Sequence, residues 1–76
     1  MKIEILGTGC PRCRILAANV EKAVLESGVD AEIVKVTQLK DIMNYRVMLT
    51  PALAVDGRVK SAGKVLSVEE IKKLIT

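Results

Sequence analysis

The chain has 76 residues, enough for one domain with a small hydrophobic core. Half of its residues are hydrophobic, but Tyr45 is the only aromatic one, so the core is expected to be aliphatic. The formal net charge is +3, with twelve basic residues scattered among nine acidic ones. Without a basic run or several aromatic side chains to stack on bases, this composition excludes a nucleic-acid-binding surface.

The chain contains no histidine, which excludes Cys–His nucleophile pairs and histidine-containing metal sites. No segment approaches the roughly 20 apolar residues that cross a bilayer, and the N-terminus lacks the apolar stretch of a signal peptide. We therefore expect a cytoplasmic protein with no membrane partner, and we expect it to be a monomer. Structural disulfides are uncommon in the cytoplasm, so Cys10 and Cys13 are expected to carry out redox chemistry or to bind metal.

The first two elements are predicted to be a strand and a long helix. The strand covers residues 2–6, and Ile3 and Ile5 lie on one of its faces. The helix covers about residues 11–27 and ends before Gly28, since glycine suits a left-handed C-terminal cap. The residues that recur at helical spacing along it are Cys13, Leu16, Ala17, Val20, Ala23, Val24 and Ser27.

The middle of the chain is predicted to contain a strand over residues 31–36 and a short helix over about residues 39–46. Two further strands are predicted within TPALAVDGRVK, residues 50–60. Asp56 and Gly57 lie between these two strands, and Asp-Gly between strand-like runs is a strong hairpin signal.

The final element is predicted to be a helix over residues 67–75 that begins with a capping box of Ser67 and Glu70. The element order is then βαβαββα in a single domain, residues 1–76. Because a helix joins the first two strands, they are expected to be parallel, whereas the last two form an antiparallel hairpin. The sequence thus predicts an α/β fold with a small mixed sheet and helices packed on it. The predicted buried face of the last helix consists of Val68, Ile71, Leu74 and Ile75.

The sequence GTGCPRC places both cysteines where the first helix begins. Pro11 suits the first helical position, which puts Cys10 at the N-cap and Cys13 in the first turn. The unpaired N–H groups of a helix N-terminus stabilise a thiolate, and Arg12 and Arg14 add positive potential. Such settings lower the pKa of a cysteine from about 8.5 to between roughly 3.5 and 7.5. Cys10 at the exposed tip is therefore expected to attack a partner's disulfide, and the inward Cys13 to resolve the mixed disulfide.

Gly7 and Gly9 before the cysteines are expected to let the loop turn sharply and to leave room for an incoming chain. They also begin a GxGxxG pattern, but Arg12 replaces the third glycine and the chain is too short for a dinucleotide-binding fold. Two alternatives to redox chemistry stay open at this point. In the first alternative, the cysteines are ordinary buried residues. In the second, their two thiolates bind Cu(I) or a shared Zn²⁺.

GTGCPRC after a first strand, TPALAVDG later in the chain and the closing helix together resemble small thioredoxin- and glutaredoxin-like redox-active disulfide proteins of archaea and bacteria. The resemblance covers nearly the whole chain. It implies a thioredoxin fold with strand order 2-1-3-4, helices on both faces of the sheet, and dithiol–disulfide exchange without a cofactor. It also implies protein disulfides as substrates and a reductase or dithiol protein as electron donor.

The resemblance further implies roles for individual residues. Cys10 is implied to be the nucleophile and Cys13 the resolving thiol. Pro51 is implied to follow a cis peptide bond, with the backbone of Thr50 pairing to an extended substrate segment. The residues expected to contact the substrate are Gly9, Arg12, Thr50 and Pro51.

Glu4 stands six residues before Cys10 on the first strand, the offset at which thioredoxins place a buried aspartate. A carboxylate beneath the cysteine pair can take the proton of Cys13 during resolution. Lys35 on the second strand is expected to pair with Glu4 if the strand register allows it. The alternative is that Glu4 and Lys35 face solvent at the rim of the sheet, where an ion pair contributes little to stability.

Two other classes of function also stay open. Heavy-metal-associated domains place C-x-x-C between a first strand and a first helix, but they end in a strand, whereas this chain is predicted to end in a capped helix. A non-catalytic interaction module on the same fold is compatible as well, because a fold alone does not define a function. A thiol–disulfide oxidoreductase is the preferred hypothesis.

Overall fold

Four strands and three helices make up the fold in the computed structural model, which describes residues 1–76. In chain order they are β1 (Lys2–Leu6), α1 (Pro11–Ser27), β2 (Glu32–Val36), α2 (Leu39–Asn44), β3 (Ala52–Val55), β4 (Arg58–Ala62) and α3 (Val68–Ile75). The strands form one sheet in the order β2-β1-β3-β4, with β1 and β2 parallel and the other neighbours antiparallel. The predicted α/β thioredoxin fold and its strand order are confirmed.

Several predicted boundaries differ from the structure by one or two residues. β4 extends to Ala62, beyond the predicted residue 60, and α3 begins at Val68, after its cap Ser67. β2 begins at Glu32 rather than at residue 31. α2 ends at Asn44 rather than at residue 46, because Arg46 has a φ of 59°. A left-handed backbone is incompatible with a right-handed helix, so the chain leaves the helix before this residue.

β1 lies inside the sheet and is buried on both faces, because helices cover each side. Ile3 and Ile5 point to the face covered by α1 and α3. Leu6 points to the other face, where it packs against Ile42 of α2. The alternation of side chains along a strand therefore divides β1 between two cores. The larger core contains Ile3, Ile5, Leu16, Ala17, Val20, Ala23, Leu53, Val55, Leu66, Ile71 and Ile75.

α1 begins with Pro11 at its first position and ends at Gly28, as predicted. Gly28 has a left-handed φ of 68°, and its N–H donates to the Val24 carbonyl oxygen at 3.1 Å. The predicted inward face is buried along most of the helix, whereas Val24 and Ser27 near its end are half-buried. None of the protein's helices has the length and apolar character that a membrane span requires.

Asp56 and Gly57 form a two-residue turn between β3 and β4, as predicted, with φ values of 51° and 84°. A positive φ at both central residues is the requirement of a type I′ hairpin turn. Farther along β4 the register shifts by one residue, which leaves Lys60 in a β-bulge without a partner on β3.

α3 begins with the predicted capping box. The Glu70 N–H donates to Ser67 Oγ at 3.2 Å, and the Ser67 N–H donates to Glu70 Oε1 at 3.1 Å. Ile71 and Ile75 are buried as predicted. The prediction for Leu74 is wrong: it is 36% exposed, because it borders an open groove between α3 and β4 instead of facing the core.

Candidate active site

The two cysteines lie at the start of α1, immediately after the loop that leaves β1. Cys10 is the N-cap residue with an extended backbone, and Cys13 lies in the first turn. Their sulfur atoms are 2.8 Å apart, within hydrogen-bonding distance but longer than the about 2.05 Å of a covalent disulfide. The structure therefore describes the dithiol form, with the two sulfurs already in contact.

The surroundings of Cys10 favour its thiolate. The Cys13 thiol, which is hydrogen-bonded to Cys10 Sγ, has the largest effect and lowers the pKa of Cys10. The backbone N–H groups of Cys13 and Arg12 point toward the same sulfur and lower this pKa further, although neither completes a capping hydrogen bond. Cys10 is half-buried, so its thiolate can be reached from solution.

Cys13 differs from Cys10 in both burial and acidity. Only 5% of its surface is exposed. Burial is the main cause that raises the pKa of Cys13, and its hydrogen bond to Cys10 raises it further. The two pKa shifts have opposite signs because a proton held between the sulfurs favours an outer thiolate and an inner thiol.

Gly7 makes room for the side chain of Cys13. A methyl group on Gly7 would lie 2.3 Å from Cys13 Sγ and 3.2 Å from Cys13 Cβ. The prediction that Gly7 leaves room for an incoming chain is wrong, because Gly7 is buried and Cys13 fills the space beside it. Gly9, in contrast, is exposed, has a φ of 94°, and has no atom within 4 Å of an added Cβ.

The peptide bond between Thr50 and Pro51 is cis, as the family resemblance implied. Pro51 is buried beside the loop that carries the cysteines. If Gly7 had a Cβ atom, that atom would lie 3.9 Å from Pro51 Cα. Thr50 is exposed next to it. The fold thus brings this peptide bond close to Cys13, although the two motifs are far apart in the sequence.

Arg12 joins the cysteine turn to the loop after β4. Its Nη2 donates a hydrogen bond to the Gly63 carbonyl oxygen at 2.9 Å. The Gly63 N–H in turn donates to the Pro51 carbonyl oxygen at 2.9 Å. Arg12 was predicted to contact the substrate and to add positive potential near the cysteines. No signal pointed to Gly63 as its partner, because Gly63 lies 51 residues further along the chain.

Glu4 and Lys35 do not form a pair, and that prediction is wrong. In the parallel register of β1 and β2, Glu4 stands opposite Val34, and Lys35 stands opposite Ile5. Side chains alternate between the two faces of a strand, so Glu4 points toward α2 and Lys35 toward α1. A Glu4–Lys35 pair would require β2 to be shifted by one residue relative to β1.

The partner of Glu4 is Tyr45, which was not predicted from the sequence. The Tyr45 hydroxyl donates a hydrogen bond to Glu4 Oε2. This bond, together with burial and the negative charge of Glu4, raises the pKa of Tyr45 to about 12. Glu4 is the buried charged residue of the sheet, at 6% exposure. The available signal was that Tyr45 is the only aromatic residue, and a buried tyrosine hydroxyl usually has a hydrogen-bond partner.

The soft-metal alternative has two sulfur donors at this site and no third ligand. The protein contains no group of three or more histidine, cysteine, aspartate or glutamate side chains that could hold a metal ion. A tetrahedral Zn²⁺ at Cys10 and Cys13 would need two further ligands from a partner. Binding of Cu(I) by the two thiolates stays a hypothesis.

The sheet order, the helices on both faces and the cysteine pair at the start of α1 define a class: a thioredoxin-like α/β protein with a dithiol. Residues 1–76 match the family described as "Thioredoxin domain". A protein named thioredoxin from Methanothermobacter thermautotrophicus is 46% identical over 76 residues, which cover 100% of this chain and 99% of that protein. Another protein named thioredoxin, from Methanocaldococcus jannaschii, is 52% identical over 71 residues, which cover 93% of this chain and 81% of that protein. The chain therefore belongs to the thioredoxin family, and it is a thiol–disulfide oxidoreductase.

Proposed function

We propose that the protein exchanges disulfides in other proteins through the C-P-R-C pair, with Cys10 as nucleophile and Cys13 as resolving thiol. The observation that supports this assignment is the contact of the two sulfurs at 2.8 Å, with the pKa lowered for Cys10 and raised for Cys13. The thiolate is the nucleophile in disulfide exchange, so the residue with the lower pKa and greater exposure reacts first.

The reaction runs in two exchanges. The Cys10 thiolate attacks one sulfur of the substrate disulfide, which breaks the substrate S–S bond, forms a mixed disulfide and releases one substrate thiolate. Cys13 then loses its proton and attacks Cys10 Sγ, which releases the second substrate thiolate and leaves a Cys10–Cys13 disulfide. Because Cys13 already touches Cys10, the second step needs little movement.

The substrate lies along the Thr50–Pro51 bond in this proposal. Thr50 is exposed beside the cysteine turn, and its backbone groups are available to an extended peptide. Gly9 and Arg12 border the same turn and are exposed. All of these residues come from one chain, which supports action as a monomer.

A reductase or another dithiol protein returns the oxidised pair to the dithiol form in this proposal. A dithiol that must be reduced again in every cycle suits a reducing compartment, and the cytoplasm is such a compartment.

Replacement of Cys13 with serine tests the proposal by trapping the intermediate. The variant is expected to form a stable mixed disulfide between Cys10 and one chain of insulin, because serine cannot displace the substrate. The adduct is measured by non-reducing electrophoresis and mass spectrometry, with the Cys10→Ser, Cys13→Ser double variant as control. An adduct on the double variant, or none on Cys13→Ser, contradicts the proposal.

Glu4 is proposed to accept the proton of Cys13 during resolution, and this relay stays a prediction. No hydrogen bond joins Glu4 to Cys13, and the cavities that these two residues line share no residue, so the relay requires a carrier between the two faces of the sheet. We expect Glu4→Gln to slow resolution on the order of 100-fold at neutral pH, the size of a general-base contribution. The rate of mixed-disulfide decay is measured across pH.

Tyr45→Phe is the matched control for this substitution, because it removes the hydrogen bond to Glu4 and keeps the carboxylate. It is expected to leave the resolution rate within about fivefold of the parent, roughly the effect of one lost hydrogen bond. Equal pH profiles for Glu4→Gln and the parent rule the relay out.

A further inference from the structure

A small cavity opens beside Cys13 on the face of the sheet that α1 covers. Its volume is about 180 Å³, and it lies where β1 and β2 end and α1 begins. Ligands of α/β proteins commonly bind at the carboxyl ends of parallel strands. Cys13 lines the cavity and Cys10 does not, so the cavity reaches the inner sulfur by a route separate from the exposed thiolate.

The polar lining of this cavity is positively charged. Arg14 of α1 and Lys35 of β2 border it, and Thr37 adds a hydroxyl group. No carboxylate lines the cavity. Neither cation is in a salt bridge, since the salt bridges of the protein involve Lys22 and Lys72. Two uncompensated cations beside a sulfur attract a small anion.

The register of the sheet explains why Lys35 lies here. Lys35 stands opposite Ile5, so its side chain points to the α1 face, the same face as Cys13. Lys35, which does not pair with Glu4, therefore lies next to Cys13, the proposed resolving thiol. This position leaves it available to a ligand.

The size of the cavity limits what it can hold. Its volume is smaller than the roughly 300–1,000 Å³ of pockets for drug-sized ligands. This volume suits a short thiol that carries a carboxylate or sulfonate better than an extended peptide.

We propose that this cavity admits a small anionic thiol, which reduces the oxidised protein by attacking Cys13. The proposal rests on the proposed function, because it adds a second class of electron donor, beside a reductase or dithiol protein, for the same cysteine pair. Arg14 and Lys35 hold the anionic end of the donor, and its sulfur lies against Cys13.

The exchange balances in two steps. The donor thiolate attacks Cys13 Sγ in the Cys10–Cys13 disulfide, forms a mixed disulfide with Cys13 and expels Cys10 as a thiolate. A second donor thiolate then attacks the donor sulfur of this mixed disulfide and releases the Cys13 thiolate. Two donor thiols become one donor disulfide, and the protein returns to its dithiol form. Expulsion of Cys10 is favoured because the backbone N–H groups of Cys13 and Arg12 lower its pKa, and thiols of low pKa are the better leaving groups.

Alkylation of Cys13 tests access and charge without any redox reaction. In a Cys10→Ser variant Cys13 is the single thiol, and it is treated with anionic iodoacetate or with neutral iodoacetamide of nearly equal size. We expect the ratio of iodoacetate to iodoacetamide rates to fall about fivefold when Lys35 or Arg14 becomes Gln, the effect of one charge contact. Lys60→Gln, which removes the same charge from another groove, is expected to leave the ratio unchanged.

Reduction of the oxidised protein tests the donor itself. Rates with 3-mercaptopropionate, 3-mercapto-1-propanol and cysteamine are compared at equal thiolate concentration by quenched alkylation and mass spectrometry. The anionic thiol is expected to be the fastest, and Lys35→Gln and Arg14→Gln are expected to remove its advantage. Equal rates for the three thiols, or an advantage that survives both substitutions, overturn the proposal. Reduction of insulin with neutral dithiothreitol tests the proposed function separately, so the two can fail independently.

Discussion

Replacing Cys10 with serine is expected to reduce the rate of insulin reduction to that of dithiothreitol alone. Cys10 carries the lowered pKa and is half-buried, whereas Cys13 is 5% exposed and has a raised pKa. A serine hydroxyl is not ionised near neutral pH, and Cys13 cannot reach a protein disulfide from its buried place. The measurement is insulin turbidity with dithiothreitol, with circular dichroism to confirm that the variant is folded.

The same assignment has a pH signature. The rate of Cys10 alkylation by iodoacetamide follows the thiolate fraction, which rises as the pH rises through the pKa. Because the pKa of Cys10 is lowered, half of the maximal rate is expected at a lower pH than for an ordinary cysteine. Cys13→Ala removes the largest cause of this shift, so its profile is expected to move to higher pH.

Coincident profiles for the parent and Cys13→Ala contradict the assignment, as does insulin reduction by Cys10→Ser above the dithiothreitol rate. Cys13→Ala is used here because a serine at this place could still donate a hydrogen bond to Cys10. Lys60→Gln serves as the control, since Lys60 lies on β4 and borders a different groove.

Gly7→Ala is expected to disable the resolving thiol and to destabilise the fold by about 1–3 kcal/mol, the usual cost of overpacking. The added methyl group would lie 2.3 Å from Cys13 Sγ, closer than any van der Waals contact allows. Either the Cys13 sulfur rotates away and loses its contact with Cys10 Sγ, or β1 and α1 move apart. Both responses slow the second exchange, so mixed disulfides are expected to accumulate with insulin.

The clash itself is tested by a double-mutant cycle measured by urea unfolding. Cys13→Ala removes the sulfur, so Gly7→Ala is expected to cost at least about 1 kcal/mol less in that background than in the parent. Thr8→Ala is the matched control, because Thr8 is the exposed neighbour of Gly7. Equal costs of Gly7→Ala in the two backgrounds would show that the Cys13 sulfur is not what the glycine accommodates.

Much of the fold was predictable because its signals are local. Pro11 and Gly28 mark the two ends of α1, Asp56 and Gly57 mark the hairpin turn, and each of these positions has the backbone geometry that its residue type favours. The positions of Cys10 at the N-cap and Cys13 in the first turn were predictable for the same reason.

The errors concern features that depend on how distant segments meet. Glu4 and Lys35 failed as a pair because the strand register decides the face of each side chain, and two isolated strand segments do not fix a register. The hydrogen bond from Arg12 to Gly63 joins segments that only the tertiary fold brings together. Gly7 was assigned the wrong role because its buried neighbour, Cys13, belongs to the next element.

The β-bulge at Lys60 has a consequence for behaviour at high concentration. β4 is an outer strand of the sheet, and its unpaired backbone groups could otherwise recruit a strand from another molecule. The bulge interrupts the regular ladder, and Arg58 and Lys60 put like charges along this border. Self-assembly into extended sheets through β4 is thereby disfavoured, which helps to keep concentrated solutions of the protein free of aggregates.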